Sequence, residues 1–330
     1  MKKYNIGIVG ATGLVGGTFL EVLAERKLPI NELRLLASEK SAGKEIDFEG
    51  KRVVVEKLNE NSFIGLDIAL FSAGASISKI YAPIAVSSGV LVIDNSSAFR
   101  QEINIPLVVP EVNSFDIKST GIISNPNCST IQSVVPLKAL MEKFGVERVV
   151  YTTYQSVSGS GMKGINDLKA TLAGESPSFY PYPIALTCIP QIDSFLENGY
   201  TKEEMKMVNE TRKMLHLPNL KVSATCVRVP VFNSHAVVIE VSLTKKFELE
   251  EIRETFSNFP SIKLVDEPEK SIYPVSTISK GNDYVYVGRI RRDISVDNGI
   301  VFYCVSDNIR KGAATNAVQI AEYVIKNKLL

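Results

Sequence analysis

The sequence contains no tryptophan and only two histidines, His216 and His235. A metal centre built from several imidazoles is therefore excluded, and no metal is expected. The four cysteines, Cys128, Cys188, Cys226 and Cys304, stand far apart with no CxxC pair. That spacing excludes a zinc ribbon and a dense disulfide framework, and it suits free thiols in a reducing cytoplasm. No run of about 18 apolar residues occurs, so no membrane span is expected. Neither sign of charge dominates: 37 Lys and Arg against 36 Asp and Glu leave a net +1. Nucleic acid and acidic membrane surfaces are thus not indicated as partners. At the start, "MKKYNIGIVGATG" has two lysines, but a glycine-rich turn interrupts the apolar run too early for a secretory leader.

What is present suffices for two domains. The 330 residues are 45% hydrophobic and 22% charged, ordinary for a globular chain. There is no internal repeat. "YNIGIVGATGLVGGTFLEVLAER" places a buried-type strand, a glycine turn and an amphipathic helix in succession, the context a dinucleotide-binding unit requires. The spacing is Gly10-x-x-Gly13-x-x-Gly16, a loose match to the general fingerprint. Glycines there let the backbone approach a pyrophosphate while helix N–H groups point at it. "ELRLLAS" is the next strand, ending at Ser38 before Glu39 and Lys40. A lysine here suits a 2′-phosphate and favours NADP, while Glu39 leaves NAD open. "KRVVVEKL", "IALFSAG" and "VLVIDNSS" continue the strands, with a helix in "SISKIYAPIAVSSG". The alternation predicts a doubly wound parallel sheet. Ser72 and Gly74 fall at one strand's carboxyl end, where such sheets bind ligands. Arg100, in "DNSSAFR", stands at another as a candidate anion clamp.

Beyond residue 125 the character changes. "SNPNCSTIQSVVPLKALMEKFG" predicts a helix whose apolar repeat is seen from Ser129 onward and whose end falls at Gly145, with Cys128 in its first turn. A thiol there feels the helix dipole and free N–H groups, which favour thiolate. The strands that follow are richer in β-branched residues. Gln155 follows one of them, and Ser158-Gly159-Ser160-Gly161 supplies a flexible loop. "YPYPIALTCIPQID" reads as an irregular crossing. "TKEEMKMVNETRKMLHL" reads as a helix that composition alone makes a solvated surface element. In "VSATCVRVPVFNSHAVVIEVSL", Arg228 and His235 are seven residues apart, about 23 Å along a straight strand and on opposite faces. Pro230 and Asn233-Ser234 predict a bulge, bend or turn that brings them together. A thiol, a histidine and anion-binding arginines would together form an acyl-transfer site. Asp307 or Asn308 caps a final helix that is expected to dock on the first domain.

Taken in order, "GATGLVG", "DNSSAFR", "SNPNCST", "YQSVSGSG", "PYPIA…IPQID", "EEMK", "RVPVFNSH" and "DNIRKGAATNAVQIAE" resemble the aspartate-β-semialdehyde dehydrogenase family over essentially the whole chain. A related reductase family acting on N-acetyl-γ-glutamyl phosphate has Gly-Cys-Tyr-Pro at its cysteine, and this chain has Asn-Cys-Ser-Thr. The resemblance implies a Rossmann-like NADP-binding domain, residues 1–127 with 309–330, and an α+β catalytic and dimerisation domain, residues 128–308. It implies NADPH-dependent conversion of L-aspartyl 4-phosphate to L-aspartate 4-semialdehyde and phosphate, in lysine, threonine, methionine and diaminopimelate synthesis. By the same resemblance Cys128 is the nucleophile and His235 the acid/base, helping deprotonate the thiol and protonating the alkoxide. Gln155 positions the substrate, and N–H groups near Asn127 and Cys128 hold the oxyanion. Arg228 takes the substrate carboxylate, Arg100 and Lys206 the phosphate, and Glu203 the ammonium. Glu210 and Lys213 share the spacing of Glu203 and Lys206 and remain the alternative pair. Cofactor contacts fall on Gly10, Thr12, Gly13, Leu14, Val15, Ser38, Lys40, Ser72, Gly74, Ser158, Gly159 and Asn308. A homodimer or homotetramer is implied.

Overall fold

The structure is a computed structural model and describes residues 2–330. The chain forms two compact units. One holds the residues up to Pro126 together with Ala313–Leu330, and the other holds Asn127–Gly312. Against the expected boundaries, Asn127 and residues 309–312 lie in the second unit.

The first unit is a seven-stranded sheet in the order β3-β4-β2-β1-β5-β6-β7. Its strands are β1 (Tyr4–Val9), β2 (Ile30–Ala37), β3 (Glu45–Phe48), β4 (Lys51–Lys57), β5 (Ile68–Phe71), β6 (Leu91–Asp94) and β7 (Ile122–Ser124). All neighbours run parallel except β3 and β4. The central strands are apolar throughout: Ile68 to Phe71 and Leu91 to Ile93 are fully or almost fully buried, as a parallel sheet covered on both faces demands. Helices α1 (Leu14–Glu25), α2 (Ala75–Ser87) and the short α3 (Pro110–Asn113) belong to this unit. Its core also contains Ala317, Val318, Ile320, Ala321 and Val324 of the last helix, α9 (Thr315–Lys326). Arg26 holds Glu322 through a pair of hydrogen bonds, and Asn316 donates to Val108 O and Asn125 Oδ1. The final helix is thus part of the first unit.

The second unit is a six-stranded mixed sheet in the order β11-β12-β13-β10-β8-β9. Its strands are β8 (Val146–Gln155), β9 (Lys221–Arg228), β10 (His235–Leu243), β11 (Ile262–Leu264), β12 (Val285–Arg292) and β13 (Gly299–Ser306). The helices α4 (Cys128–Phe144), α6 (Lys202–Met214) and α7 (Leu249–Asn258) pack on it, and α5 (Gly161–Leu172) and the short α8 (Ser276–Ser279) complete the unit. Seven apolar residues of α4, among them Ile131, Val134 and Leu140, are buried. Each contributes roughly 1.5–3 kcal/mol where the side chain is large. Pro136 interrupts this helix internally. Lacking an N–H, it cannot bond the carbonyl one turn earlier. That carbonyl, of Gln132, instead accepts from the Cys304 thiol at 3.3 Å.

Candidate active site

The site grows from the first turn of α4. Cys128 is its first helical residue and is partly exposed. Asn127 is the N-cap, and its Oδ1 accepts from the N–H groups of Ser129 and Thr130. The backbone of Gly312 closes on the other side: a Cβ there would lie 3.0 Å from Cys128 Cβ, a contact tight enough that a larger residue would have to push the cysteine aside. Cys226 and Cys304 are buried, and burial pushes both thiols far up. A thiol held so far up carries little thiolate and is a poor nucleophile.

Opposite this turn, three adjacent strands end together. Gln155 closes β8, with Arg228 its registered partner on one side and the start of β10 on the other. The spacing of Arg228 and His235 is therefore resolved by topology. The two residues belong to separate strands that flank β8, and Val229 to Ser234 crosses over its end. Val157 and Ser158 donate to Val231 O and Phe232 O along that crossing, and Ser234 turns it with φ +72°. Arg228, Gln155 and His235 are all buried, and all project to the helix-covered face. Gln132, one turn beyond Cys128 on the same face of α4, donates to His235 O at 3.1 Å.

Glu203 of α6 joins these parts. Its Oε1 accepts from Asn127 Nδ2 at 2.8 Å and from Gln155 Nε2 at 3.1 Å, and its Oε2 accepts from Lys206 at 3.1 Å. Lys206 also holds Asp193 at 3.0 Å. Burial opposes the charge on Glu203, but Lys206 and the bonds from Gln155 and Asn127 outweigh it and hold the carboxyl at about 2. Burial likewise opposes the charge on Lys206, and Glu203 and Asp193 raise it all the same. Glu210, the alternative to Glu203, instead accepts from the Asn127 backbone N–H at 2.6 Å. Two expectations are corrected here. The Asn127 N–H is committed to Glu210 and is not an oxyanion donor. Nor is α6 a merely solvated helix, because Glu203, Glu204 and Glu210 lie on its buried face. Composition misjudges it because carboxylates are buried only when paired, and besides Lys206 and Thr201 the partners are Asn127, Gln155 and Cys226, far away in sequence.

His235 is fully buried, and burial, followed by the Arg228 charge, pushes it down to about 3. The ordinary value is 6.5. Between these values the unfolded chain binds a proton that the folded chain refuses, so stability is full above pH 6.5 and falls as the pH drops toward 3. Glu203, at about 2 against 4.5, adds a second loss only below pH 4.5. Thermal unfolding midpoints of a His235→Asn variant should therefore fall less steeply between pH 6.5 and 5 than those of the parent. Equal slopes would contradict the buried neutral imidazole.

Of the remaining candidates, Ser158, Gly159 and Asn308 lie in the second unit with Cys128, Gln155 and His235. Ser158 and Asn308 are buried and bonded to each other, and Asn308 Oδ1 also accepts from Ser156 Oγ and Ser234 N. The cap of the final helical run is Asp307, whose Oδ1 takes the N–H groups of Ile309 and Arg310. Ser156 carries no sequence signal of its own, and yet it contacts both His235 and Arg228. Only its position in "YQSVSGSG", directly after Gln155, marks it.

Gly10, Thr12, Gly13, Leu14, Val15, Ser38, Lys40, Ser72, Gly74 and Arg100 belong to the first unit. Gly10 has φ +88°, and a Cβ on it would press the backbone of Ser72 and Ala73. A Cβ on Gly16 would collide with Gly10 O. The turn between β1 and α1 is thus packed too tightly for side chains, and Gly13 caps α1 without a side-chain bond of its own. Backbone N–H groups at a bare helix start suit a pyrophosphate. Glu39 is engaged with Lys57 at 3.1 Å, while Lys40 is exposed on the same 3-10 turn, with Ser38 at its N-cap. Arg100 is buried and donates to Asn95 O at 2.7 Å. No group of residues suited to hold a metal ion occurs among the described residues.

Comparison with known proteins agrees across the chain. The family profile "Semialdehyde dehydrogenase, NAD binding domain" matches residues 5–120, and "Semialdehyde dehydrogenase, dimerisation domain" matches residues 137–311. An aspartate-semialdehyde dehydrogenase of Aquifex aeolicus (strain VF5) is 54% identical, with 99% of each chain covered. Among solved structures, aspartate semialdehyde dehydrogenase II of Vibrio cholerae complexed with ASA matches with a TM-score of 0.95 at 47% identity, covering 99% of each chain. The enzyme of Candida albicans with NADP matches with a TM-score of 0.80 at 25% identity over the full length of both.

Proposed function

The chain belongs to the aspartate-semialdehyde dehydrogenase family, and from that premise we propose that it reduces L-aspartyl 4-phosphate to L-aspartate 4-semialdehyde, releasing phosphate, through a thioester on Cys128. The observation that carries the site assignment is the meeting of Arg228, Gln155 and His235 at three strand ends on the face that α4 covers, the helix that begins at Cys128. The enzyme is an NADP-dependent oxidoreductase of amino-acid biosynthesis, serving the lysine, threonine, methionine and diaminopimelate routes.

Each part has a task. Cys128 sulfur, favoured as thiolate at a helix start, attacks the acyl carbon and displaces phosphate. A thioester stays electrophilic enough for reduction, and NADPH, when bound, supplies the hydride. Arg228 takes the substrate carboxylate with its guanidinium fork, beside a cavity of about 320 Å³ lined by Ser160, Tyr180, Gln191 and Asp193. A cavity of that size suits a small amino acid rather than a peptide. Glu203, ionised, takes the ammonium, and Gln155 orients the group being reduced. Lys206 receives the phosphate. The glycine turn and Lys40 receive the cofactor, and the Glu39–Lys57 pair leaves Lys40 to its 2′-phosphate.

The test is purified protein with aspartate semialdehyde, NADP and phosphate, followed by NADPH absorbance. Turnover that requires phosphate is expected, with NADP used more efficiently than NAD. Turnover without phosphate would point to a hydrolytic aldehyde dehydrogenase, and an NAD preference would remove the role given to Lys40.

The assembly is a homodimer or homotetramer built on the open face of the second sheet. Tyr154, Tyr273 and Val275 are exposed there around a groove of about 530 Å³, and apolar patches of this kind mark interfaces. Sedimentation should return at least a dimer, and a monomer at micromolar concentration would overturn it. We place the protein in the cytoplasm, a reducing compartment that suits four cysteines standing far apart with no CxxC pair. No helix among the described residues is long and apolar enough to cross a membrane.

A further inference from the structure

We propose that Asp193 is a positioning residue that shares Lys206 with Glu203, so that a substrate ammonium can take Glu203 while Lys206 keeps a counter-ion. The same carboxylate weakens the hold of Lys206 on phosphate. The proposal rests on the roles given above to Glu203 and Lys206, whereas the ion triad itself rests on the protein alone.

Asp193 reaches Lys206 from the irregular crossing "IPQID". Its φ is +70°, a left-handed backbone that aspartate enters more readily than most residues. Its Oδ1 accepts from the N–H of Ser194 at 2.8 Å, and its carbonyl accepts from Gln191 Nε2 at 3.2 Å. The chain just beyond is stitched to the start of α6. Ser194 O accepts from Lys202 N at 2.9 Å, and Leu196 N donates to Tyr200 O at 2.8 Å. The crossing therefore moves with α6, and it delivers Asp193 Oδ2 to within 3.0 Å of Lys206 Nζ.

The oxygens of Glu203 show why a second carboxylate is needed. Oε1 already accepts from Asn127 Nδ2 and Gln155 Nε2. Oε2 is the oxygen with room for a substrate ammonium, and Lys206 already stands on it at 3.1 Å. Two cations on one oxygen repel each other, and with Glu203 alone the incoming ammonium would have to evict Lys206. Asp193 gives Lys206 somewhere to lean. It also lines the same cavity as Arg228, and its side chain is 37% exposed against 7% for Glu203. Burial opposes the charge on Asp193, but the Ser194 N–H and Lys206 outweigh it and hold the carboxyl below its ordinary value. Glu203 pushes the other way, which makes Lys206 the link between two carboxylates that would otherwise repel.

The charges set the sign of each effect. Two carboxylates and one ammonium leave the triad with one net negative charge. A substrate ammonium brings the sum to zero. Without Asp193 the same four-group arrangement would lack one anion and carry one net positive charge, which repels the ammonium and attracts phosphate. Asp193 therefore favours the amino acid at the expense of the phosphate. Lys206 has three N–H donors, two of which go to carboxylates, and the third serves an anion. A lightly held phosphate suits a site that must lose it between thioester formation and reduction.

The experiment compares the full chain with its Asp193→Asn variant. Asparagine tolerates the same left-handed backbone. Its Oδ1 still accepts from Ser194, while its Nδ2 offers Lys206 no acceptor. Steady-state kinetics with NADP are run across aspartate semialdehyde and across inorganic phosphate, and calorimetry reads phosphate binding directly. Loss of the pair should raise KM for the semialdehyde roughly fivefold and lower both KM and Kd for phosphate by a similar factor. Succinate semialdehyde, which lacks the ammonium, should compete equally well against parent and variant. Structural damage alone would raise both KM values together, and that result, or constants unchanged from the parent, would overturn the proposal. An equal weakening for succinate semialdehyde would overturn it too, by placing the effect away from the ammonium. Parental turnover that needs no phosphate would remove the function on which the roles of Glu203 and Lys206 rest, and the proposal with it.

Discussion

Cys128→Ala should abolish turnover, lowering kcat by at least about 10⁴-fold, while NADP still binds with its parental affinity. The magnitude follows from what the sulfur supplies. Without a covalent acyl carrier, hydride would have to add directly to an acyl phosphate, and the helix start, Arg228 and Gln155 would be left with binding alone. Folding should survive, since Cys128 is partly exposed and alanine is at home in a helix. The separation is checked by pairing NADP titration with the phosphate-dependent assay. Residual activity within tenfold of the parent would show that the sulfur is not the nucleophile.

The second large effect is expected at Arg228. Arg228→Lys keeps the charge and loses the planar fork, and it also gives up the 2.6 Å bond to Ser156 O. A lysine ammonium reaches as a point charge and cannot serve a carboxylate and that carbonyl in one plane. Loss of charge-assisted bonds worth about 2.7 kcal/mol predicts a fall of about a hundredfold in kcat/KM. Most of it should appear in KM for the semialdehyde, with a smaller fall in kcat because the peptide of Ser156 also positions His235. Steady-state kinetics across semialdehyde concentration would read this split. An unchanged KM would mean that Arg228 does not hold the substrate.

The local parts of this site are written plainly in the sequence. A cap residue, a thiol and a 3.6-residue apolar repeat suffice to place Cys128 at a helix start, because that information lies within one turn. The helix begins at Cys128 itself, one residue before the periodicity alone shows it. The glycine turn between β1 and α1 is legible for the same reason. The relation of Arg228 to His235 is not, because it depends on which strand lies between theirs. β8 comes from about 70 residues upstream of β9 in the chain, and long-range pairing leaves no local pattern. The roles of Glu203 and Glu210 were equally hidden. Their spacing along α6 is compatible with either facing the substrate, and only the packing of α6 against α4 assigns one to side chains and the other to the backbone of Asn127. Between Asp307 and Asn308 the sequence offers two equally good caps. The choice falls to Asp307 because Asn308 is occupied by Ser156, Ser158 and Ser234.

The most direct measurement withholds the acyl acceptor. Incubated with aspartate semialdehyde and NADP but no phosphate, the enzyme should release a single burst of NADPH stoichiometric with sites. Acid quenching, digestion and mass spectrometry should then find an aspartyl group on the peptide containing Cys128 and nowhere else. An acyl group on another side chain, or a full burst with no adduct on that peptide, would contradict the assignment of Cys128 as the residue that carries the acyl group.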